Sequence, residues 1–295
     1  MPTARLYFVH ALSPLHAGTG QGTGVIDLPI AREKATGIPY LPGSSVKGTL
    51  RDSDIISNGQ KKLFFGPDTN GADEHAGAAQ FADARLLLLP VRSLRGTFAW
   101  VTSPYLLQRL AREAKDAQIP LEAACIIPQF ISRQEAFVSG DAIIYQGNKV
   151  IIEDLDLNIN EAKSSATAWA TWIGKHAFND QSERDMLVKR FCIVHDDVLS
   201  FLLSTATEVV ARIRLDPEKK TVEQGALWYE EALPTESVLV GIALGQTVKD
   251  KNGTAFTADQ VMQELIKLNG HTAQFGGKAT VGRGLCRVRI AGGAQ

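Results

Sequence analysis

Apolar and polar positions along the chain fall into short runs, each of a length suited to one strand or one helix. The run "ARLYFVHAL" (4–12) is β-rich and partly alternating, which predicts a first strand. A long stretch without apolar periodicity follows, from Leu15 to about residue 43, carrying Gly18, Gly20, Gly22, Gly24 and Gly37. "PGSSVKGTLRDSDII" then predicts a short helix, with Ser44 and Ser45 placed to cap it. Val46 and Leu50 fall on one face of that helix and Lys47 and Arg51 on a neighbouring one, so one side is expected to be buried and the other cationic.

"ADARLLLLPV" and "GTFAWVTS" predict adjacent strands, and "SPYLLQRLAREAKDA" a helix capped by Ser103 with Pro104 at its first position. "DAIIYQGNKVIIEDLDL" predicts a hairpin turning at Gly147–Asn148, "SSATAWATWIGKHAF" a helix and "FCIVHDD" a short strand. A long hairpin is predicted in "TEVVARIRLDPEKKTVEQGALWYEE", turning near Asp216 to Lys220, with a further strand in "SVLVGIAL". "TADQVMQELIKLNG" predicts a helix between its cap Thr257 and Gly270 just past its end. "LCRVRIA" closes the pattern as a strand with alternating cations at Arg287 and Arg289. The order β-α-β-β at the start and β-β-α-β at the end predicts an α+β sheet with helices on one face. That is a ferredoxin-like or RRM-like core with long insertions and one protruding hairpin. Without a fixed-period repeat or a low-complexity linker, one domain over residues 1–295 is the economical expectation.

Composition narrows the picture further. With 295 residues and 44% hydrophobic content the chain can bury a sizeable core. The longest apolar run, "LLLLPV" (86–91), falls far short of the roughly 20 residues that span a bilayer, and no signal-peptide pattern is seen. A cytoplasmic protein away from membranes is expected. Cys125, Cys192 and Cys286 lack metal-site spacing and read as reduced core residues. A formal net charge of -1 argues against nucleic-acid binding by bulk charge, yet the charge is uneven. From Thr272 onward the basic residues Lys278, Arg283, Arg287 and Arg289 occur without any acid.

Several motifs can be tested on spacing. A dinucleotide fingerprint fails in every frame, because its third glycine would fall on Thr23, Val25 or Asp27. A P-loop fails as well, since Ala279 follows Gly277-Lys278 and Thr272 stands where its first glycine belongs. "GGKATVGRG" fits a contact with RNA or DNA phosphates, and it equally fits an ordinary glycine-rich turn before a last strand. His195-Asp196, preceded by His176, faintly suggests a metal-binding HD site, but that site needs a distal aspartate and a helical setting. His10 and His75 read as structural or solvated, and His271 follows a helix end, where partial positive charge is favourable. His16 and Asp27, eleven apart in the glycine-rich segment, could assist attack of an RNA 2'-OH on its neighbouring phosphate; loop aspartates are also common turn-formers.

Three segments, in this order, carry a family resemblance. They are "HALSPLHAGTGQGTGVIDLPIAREKATGIPYLPGSSVKGTLRD", "TEVVARIRLDPEKKTVEQGALWYEEALP" and "FGGKATVGRGLCRVRI". Together they resemble the RAMP superfamily, specifically the repeated backbone subunit of the type III-B CRISPR effector, the Cmr complex. The resemblance implies an RRM-like palm that stacks copy upon copy into a helical filament along a CRISPR RNA. It implies a glycine-rich catalytic loop at about 15–43 and a thumb hairpin at about 204–235 that displaces a base pair of the guide–target duplex at regular intervals.

By the same resemblance Asp27 is the cleavage residue, brought to the target backbone by the long loop. A divalent ion, Mg2+ or Mn2+, assists with Asp27 as its ligand, and the products end in 2',3'-cyclic phosphate and 5'-hydroxyl. Lys47 and Arg51 match guide-RNA phosphate contacts, with Ser44 or Ser45 adding donors at the helix start. Gly276, Gly277, Lys278, Gly282 and Arg283 match the C-terminal RNA-binding loop, while His16, Tyr229, Glu230 and Glu231 fall near the cleavage site. The implied partners are CRISPR RNA, single-stranded target RNA, further copies of the chain and other Cmr subunits. A non-catalytic, structural CRISPR-RNA-binding subunit is the rival expectation. A repeat-processing nuclease of the same superfamily is a third, against which the thumb hairpin tells.

Overall fold

The computed structural model describes all residues except 1, 21, 23, 68–75, 161–162, 217, 220, 250–252 and 292–295. His75 therefore lies outside the described residues. The chain begins with β1 (Thr3–Ala11), and after a long loop come β2 (Tyr40–Leu41), α1 (Gly43–Arg51) and α2 (Asn58–Phe65). Strands β3 (Ala79–Phe81), β4 (Ala84–Arg92) and β5 (Phe98–Thr102) lead into α3 (Pro104–Asp116). The middle supplies β6 (Glu135–Val138), β7 (Ile144–Tyr145), β8 (Lys149–Ile152) and β9 (Leu155–Ile159). Next come α4 (Lys163–Ala177), α5 (Gln181–Arg190), β10 (Phe191–Val194) and α6 (Asp196–Thr205). The last third holds β11 (Glu208–Leu215), β12 (Val222–Ala232), β13 (Val238–Gly245), β14 (Val248–Lys249) and β15 (Ala255–Phe256). It closes with α7 (Ala258–Ile266), β16 (Thr272–Gln274) and β17 (Leu285–Ile290).

The main sheet runs β16-β17-β1-β13-β4-β5-β10-β6-β9-β8-β7. Its heart, β17-β1-β13-β4, is antiparallel at every joint and has the expected ferredoxin-like strand order. The insertion between β5 and β11 widens this sheet, with β10 beside β5 and β9 beside β6, both parallel. The sheet is covered on both faces, against the one-sided expectation. Every residue of β1 from Leu6 to Ala11 is buried, and successive strand residues point to opposite faces. Tyr7 packs edge-on to Phe81 on one face, with ring centroids 5.5 Å apart. On the other face His10 packs edge-on to Phe178, 4.9 Å away.

Local sequence explains some helix starts and misses others. Thr257 Oγ1 accepts the Gln260 N–H while the Gln260 side chain accepts the Thr257 N–H, a reciprocal cap that fixes the start of α7. Gly270 lies beyond the end of α7 with φ +77°, a conformation that suits glycine. The expected serine cap of α1 is absent: Pro42 is the N-cap, and the Gly43 N–H is taken by Asp83 Oδ1 at 2.8 Å. Ser44 and Ser45 instead fall inside the first turn, while Val46 and Leu50 are buried as expected. Ser103 and Pro104 do open α3, without a side-chain cap bond.

After the short strand β10 the chain turns directly into α6, which was not expected. His195 caps it by accepting the Asp197 N–H on Nδ1, and Asp196 accepts the Tyr105 N–H. These residues are spent on starting a helix, and His176 packs on Trp172 in α4, so the HD reading fails. All three cysteines are free, and Cys192 and Cys286 are buried, their thiols pushed up to about 12 by burial. No helix among the described residues is long and apolar enough to cross a membrane.

Strands β11 and β12 pair only with each other and form a hairpin apart from the main sheet. Cross-strand pairs share a face, so Ile213 and Leu227 lie on the same side as Val209 and Tyr229. These four, with Leu215 and Val222 nearer the tip, are 39% to 54% exposed. The opposite face carries Arg212, Trp228 and Glu230. Replacing Thr257 with Ala removes the α7 cap and should lower unfolding stability by about 1 kcal/mol, read as a lower urea midpoint at unchanged slope.

Candidate nucleic-acid interface and cleavage site

The glycine-rich loop has few apolar side chains, yet hydrogen bonds fix its course. Leu15 exchanges two backbone bonds of 2.9 Å with Leu233, and the Ala31 N–H donates to the Ala17 carbonyl at 2.7 Å. Further along, the Leu28 N–H donates to Tyr229 O and the Glu231 N–H donates to Leu28 O, each at 3.0 Å. The loop thereby touches the base of the hairpin through two isolated bridges, antiparallel at Leu15–Leu233 and parallel at Leu28–Glu230.

Glu231 fastens this arrangement and is only 3% exposed. Its Oε1 accepts Arg32 Nη2 at 2.6 Å and Thr207 Oγ1 at 3.0 Å, and its Oε2 accepts the Ile30 N–H at 3.1 Å. Its carbonyl accepts Nδ1 of the buried His16 at 2.6 Å. Arg32 also donates to Leu203 O and Gly37 O, so the two flanks of the Asp27 segment are tied to one residue, His16 to the Glu231 carbonyl and Ile30 and Arg32 to its carboxylate. Glu231 and His16 thus support the loop from below.

Asp27, in contrast, is exposed. Its Oδ2 accepts the Tyr229 backbone N–H at 2.8 Å, and among the described residues no protein donor engages Oδ1. Tyr229 contributes to this bond through its backbone, while its ring belongs to the exposed apolar side of the hairpin. Asp27 lies on a cleft of about 440 Å³, together with Arg214, Leu227, Trp228 and Lys278.

Lys278 enters the cleft from the C-terminal glycine loop. Its Nζ is 2.8 Å from Glu230 Oε1, which also accepts Trp228 Nε1 at 2.8 Å, and Arg212 Nε lies 3.4 Å from the other oxygen. Burial alone would raise the Glu230 carboxyl, but the bonds from Lys278 and Trp228 outweigh it and hold the group below its ordinary value. The loop around Lys278 is tightly specified. Gly276, Gly282 and Gly284 have φ near +71°, +78° and +77°, and a Cβ on Gly276 would run into the His16 carbonyl. That carbonyl accepts the Gly277 N–H at 2.9 Å.

The other expected contacts are more scattered. Arg283 is paired with Glu208 at the hairpin base, 3.0 Å away. Lys47 is half-buried, and burial followed by the neighbouring Arg51 lowers its ammonium from the usual value. Arg51 Nη1 donates to Pro67 O, while Ser44 is exposed and Ser45 half-buried. Thr49 Oγ1 donates to Gln274 O, which joins α1 to the glycine loop that carries Lys278. Among the described residues no three His, Cys, Asp or Glu side chains converge to hold a metal. Asp27 brings a single carboxylate and Glu230 is already taken by cations and an indole, a donor set that does not fit a resident Mg2+ or Mn2+. Sequence reasoning missed Arg32, Arg212, Arg214 and Trp228. The alternation of β11, which sets Arg212 on the face opposite Ile213, was the available signal for one of them.

The chain is similar to known proteins along nearly its whole length. The RAMP superfamily model matches residues 8–287. A Pyrococcus furiosus protein named CRISPR system Cmr endoribonuclease Cmr4 is 35% identical over 292 residues, 97% of this chain and 95% of that protein. The CRISPR system CMR subunit Cmr4 of Saccharolobus solfataricus is 27% identical over 310 residues, 96% of this chain and 95% of that one. The crystal structure of oligomeric Cmr4 from Pyrococcus furiosus matches with a TM-score of 0.74 at 26% identity, covering 98% of each chain.

The lowered Glu230 carboxyl carries a pH consequence. A carboxyl depressed by folding adds stability above its unfolded value of about 4.3 and loses it as pH falls through the lower folded value. Glu230→Gln should therefore be less stable than the wild type near neutral pH, the gap closing as pH falls below about 4, read from melting temperatures across pH.

Proposed function

This chain belongs to the RAMP superfamily, and from that premise we propose that it is a guide-RNA-binding backbone subunit of a type III-B CRISPR effector, one that cuts complementary target RNA at regular intervals. Its partners are CRISPR RNA, single-stranded target RNA, further copies of itself and other Cmr subunits, and its place is the cytoplasm. The whole chain acts as one palm, with the catalytic loop at about 15–43 and the thumb at about 204–235.

The observation that carries this reading is the setting of Asp27. Its carboxylate is held by one oxygen on the thumb strand and open at the other, at the edge of a cleft with cations across the loop junction. In-line attack by a 2'-OH needs a group to accept the hydroxyl proton beside the scissile phosphate. The open oxygen of Asp27 serves that role, and the Tyr229 amide keeps it from rotating away. Lys47 and Arg51 on α1, with the amides of the glycine loop, contact guide phosphates. The exposed apolar side of the hairpin presents a surface to bases displaced from the duplex.

The test is cleavage of end-labelled complementary RNA by the guide-loaded complex. Asp27→Asn should slow cutting by about 10²-fold or more at every position while target binding persists. A wild-type complex that binds target and leaves it uncut would reduce the subunit to a scaffold.

A further inference from the structure

Resting on that reading, we propose that Lys278 is a second catalytic residue, the general acid that gives a proton to the departing 5'-oxygen of the cut strand. Three independent observations converge on this lysine. It lines the same cleft as Asp27 but comes from a different segment, so a phosphate seated there meets a carboxylate from the opening loop and an ammonium from the C-terminal one. Its Nζ is aimed by Glu230, a side chain 6% exposed whose oxygens are also fixed by Trp228 and Arg212. Finally, Lys278 itself has φ +67°, a left-handed conformation that costs a non-glycine residue free energy. The neighbouring glycines, wedged on the His16 carbonyl, hold it there.

The donor set adds a reason. Cleavage leaves negative charge on the departing oxygen, and among the described residues Lys278 and Arg214 are the cations that line the cleft with Asp27. Arg214 also lines the cleft, but a guanidinium does not give up its proton, whereas an ammonium does. In the proposed step Asp27 takes the proton of the 2'-OH as the O2'–P bond forms. The P–O5' bond breaks, its electron pair stays on O5', and that oxygen takes a proton from Lys278 Nζ. The lysine amine regains a proton from water and Asp27 returns its own, so nothing is oxidised and no further reactant is consumed.

A leaving-group substitution separates proton donation from mere RNA binding. Guide-loaded complexes assembled from wild type, Lys278→Ala, Lys278→Arg and Asp27→Asn would cut, under single-turnover conditions, two targets of one sequence. One has the ordinary linkage and the other has sulfur in place of the 5'-oxygen at one scissile position. Sulfur leaves without needing a proton. Both Lys278 variants should therefore slow the oxygen target by about 10²-fold yet slow the sulfur target by less than about tenfold, while Asp27→Asn slows both. Equal slowing of the two targets by Lys278→Ala, unchanged cutting of the oxygen target, or recovery of its rate by Lys278→Arg would each overturn the assignment. A gel-shift measurement of target binding shows that each variant is assembled. Failure of the wild-type complex to cut either target would instead overturn the parent reading of the protein as a nuclease.

Discussion

A loop rich in glycine and poor in apolar side chains cannot hold its course by burial, and here its path depends on the buried carboxylate of Glu231. Three donors from the loop and the hairpin base meet that carboxylate at 2.6 to 3.1 Å. Hydrogen bonds to a charged group are worth about 1.5 to 3 kcal/mol each, so the cluster offsets the backbone entropy of a few ordered loop residues, at about 1 to 2 kcal/mol each, and the loop's other backbone bonds must supply the rest. The position of Asp27 follows from this attachment, because the loop reaches the Tyr229 amide only when its flanks are tied down. His16 extends the same node to the C-terminal loop through its carbonyl, so segments far apart in sequence share one anchor.

The sheet makes that junction possible. β1 pairs with both β13 and β17, so the chain leaves β1 beside the strands that bring in the hairpin and the glycine turn. Leu12 and Ser13 donate to the Leu285 carbonyl just where β17 begins. The insertion of β6 to β10 enlarges the far side of the sheet, away from this meeting point. The core thus sets the spacing of three segments that lie outside the main sheet, none of which could define a site alone.

Much of this architecture was legible in the sequence, and its failures have physical causes. The α7 start could be read because Thr257 and Gln260 lie within one turn, and the hairpin because its strands alternate locally. The cap of α1 could not, since Asp83 lies 40 positions from Gly43. The Arg32–Glu231 pair spans 199 positions and leaves no local pattern. Coverage of both sheet faces follows from β1, where the apolar run Leu6 to Val9 buries both sides, whereas partial alternation predicts one covered face. Asp27 stood out through family resemblance; its eleven-residue spacing from His16 carried little, and the two residues make no bond to each other.

The hairpin has one more consequence, for the life of the chain before assembly. A two-stranded ribbon with Val209, Ile213, Leu227 and Tyr229 turned to water is a sticky surface that only a neighbour or a nucleic acid can cover. A copy synthesised without a place to dock therefore carries an aggregation hazard built into its working surface. An excess of chain over surfaces able to cover the ribbon is in that sense a burden on protein quality control.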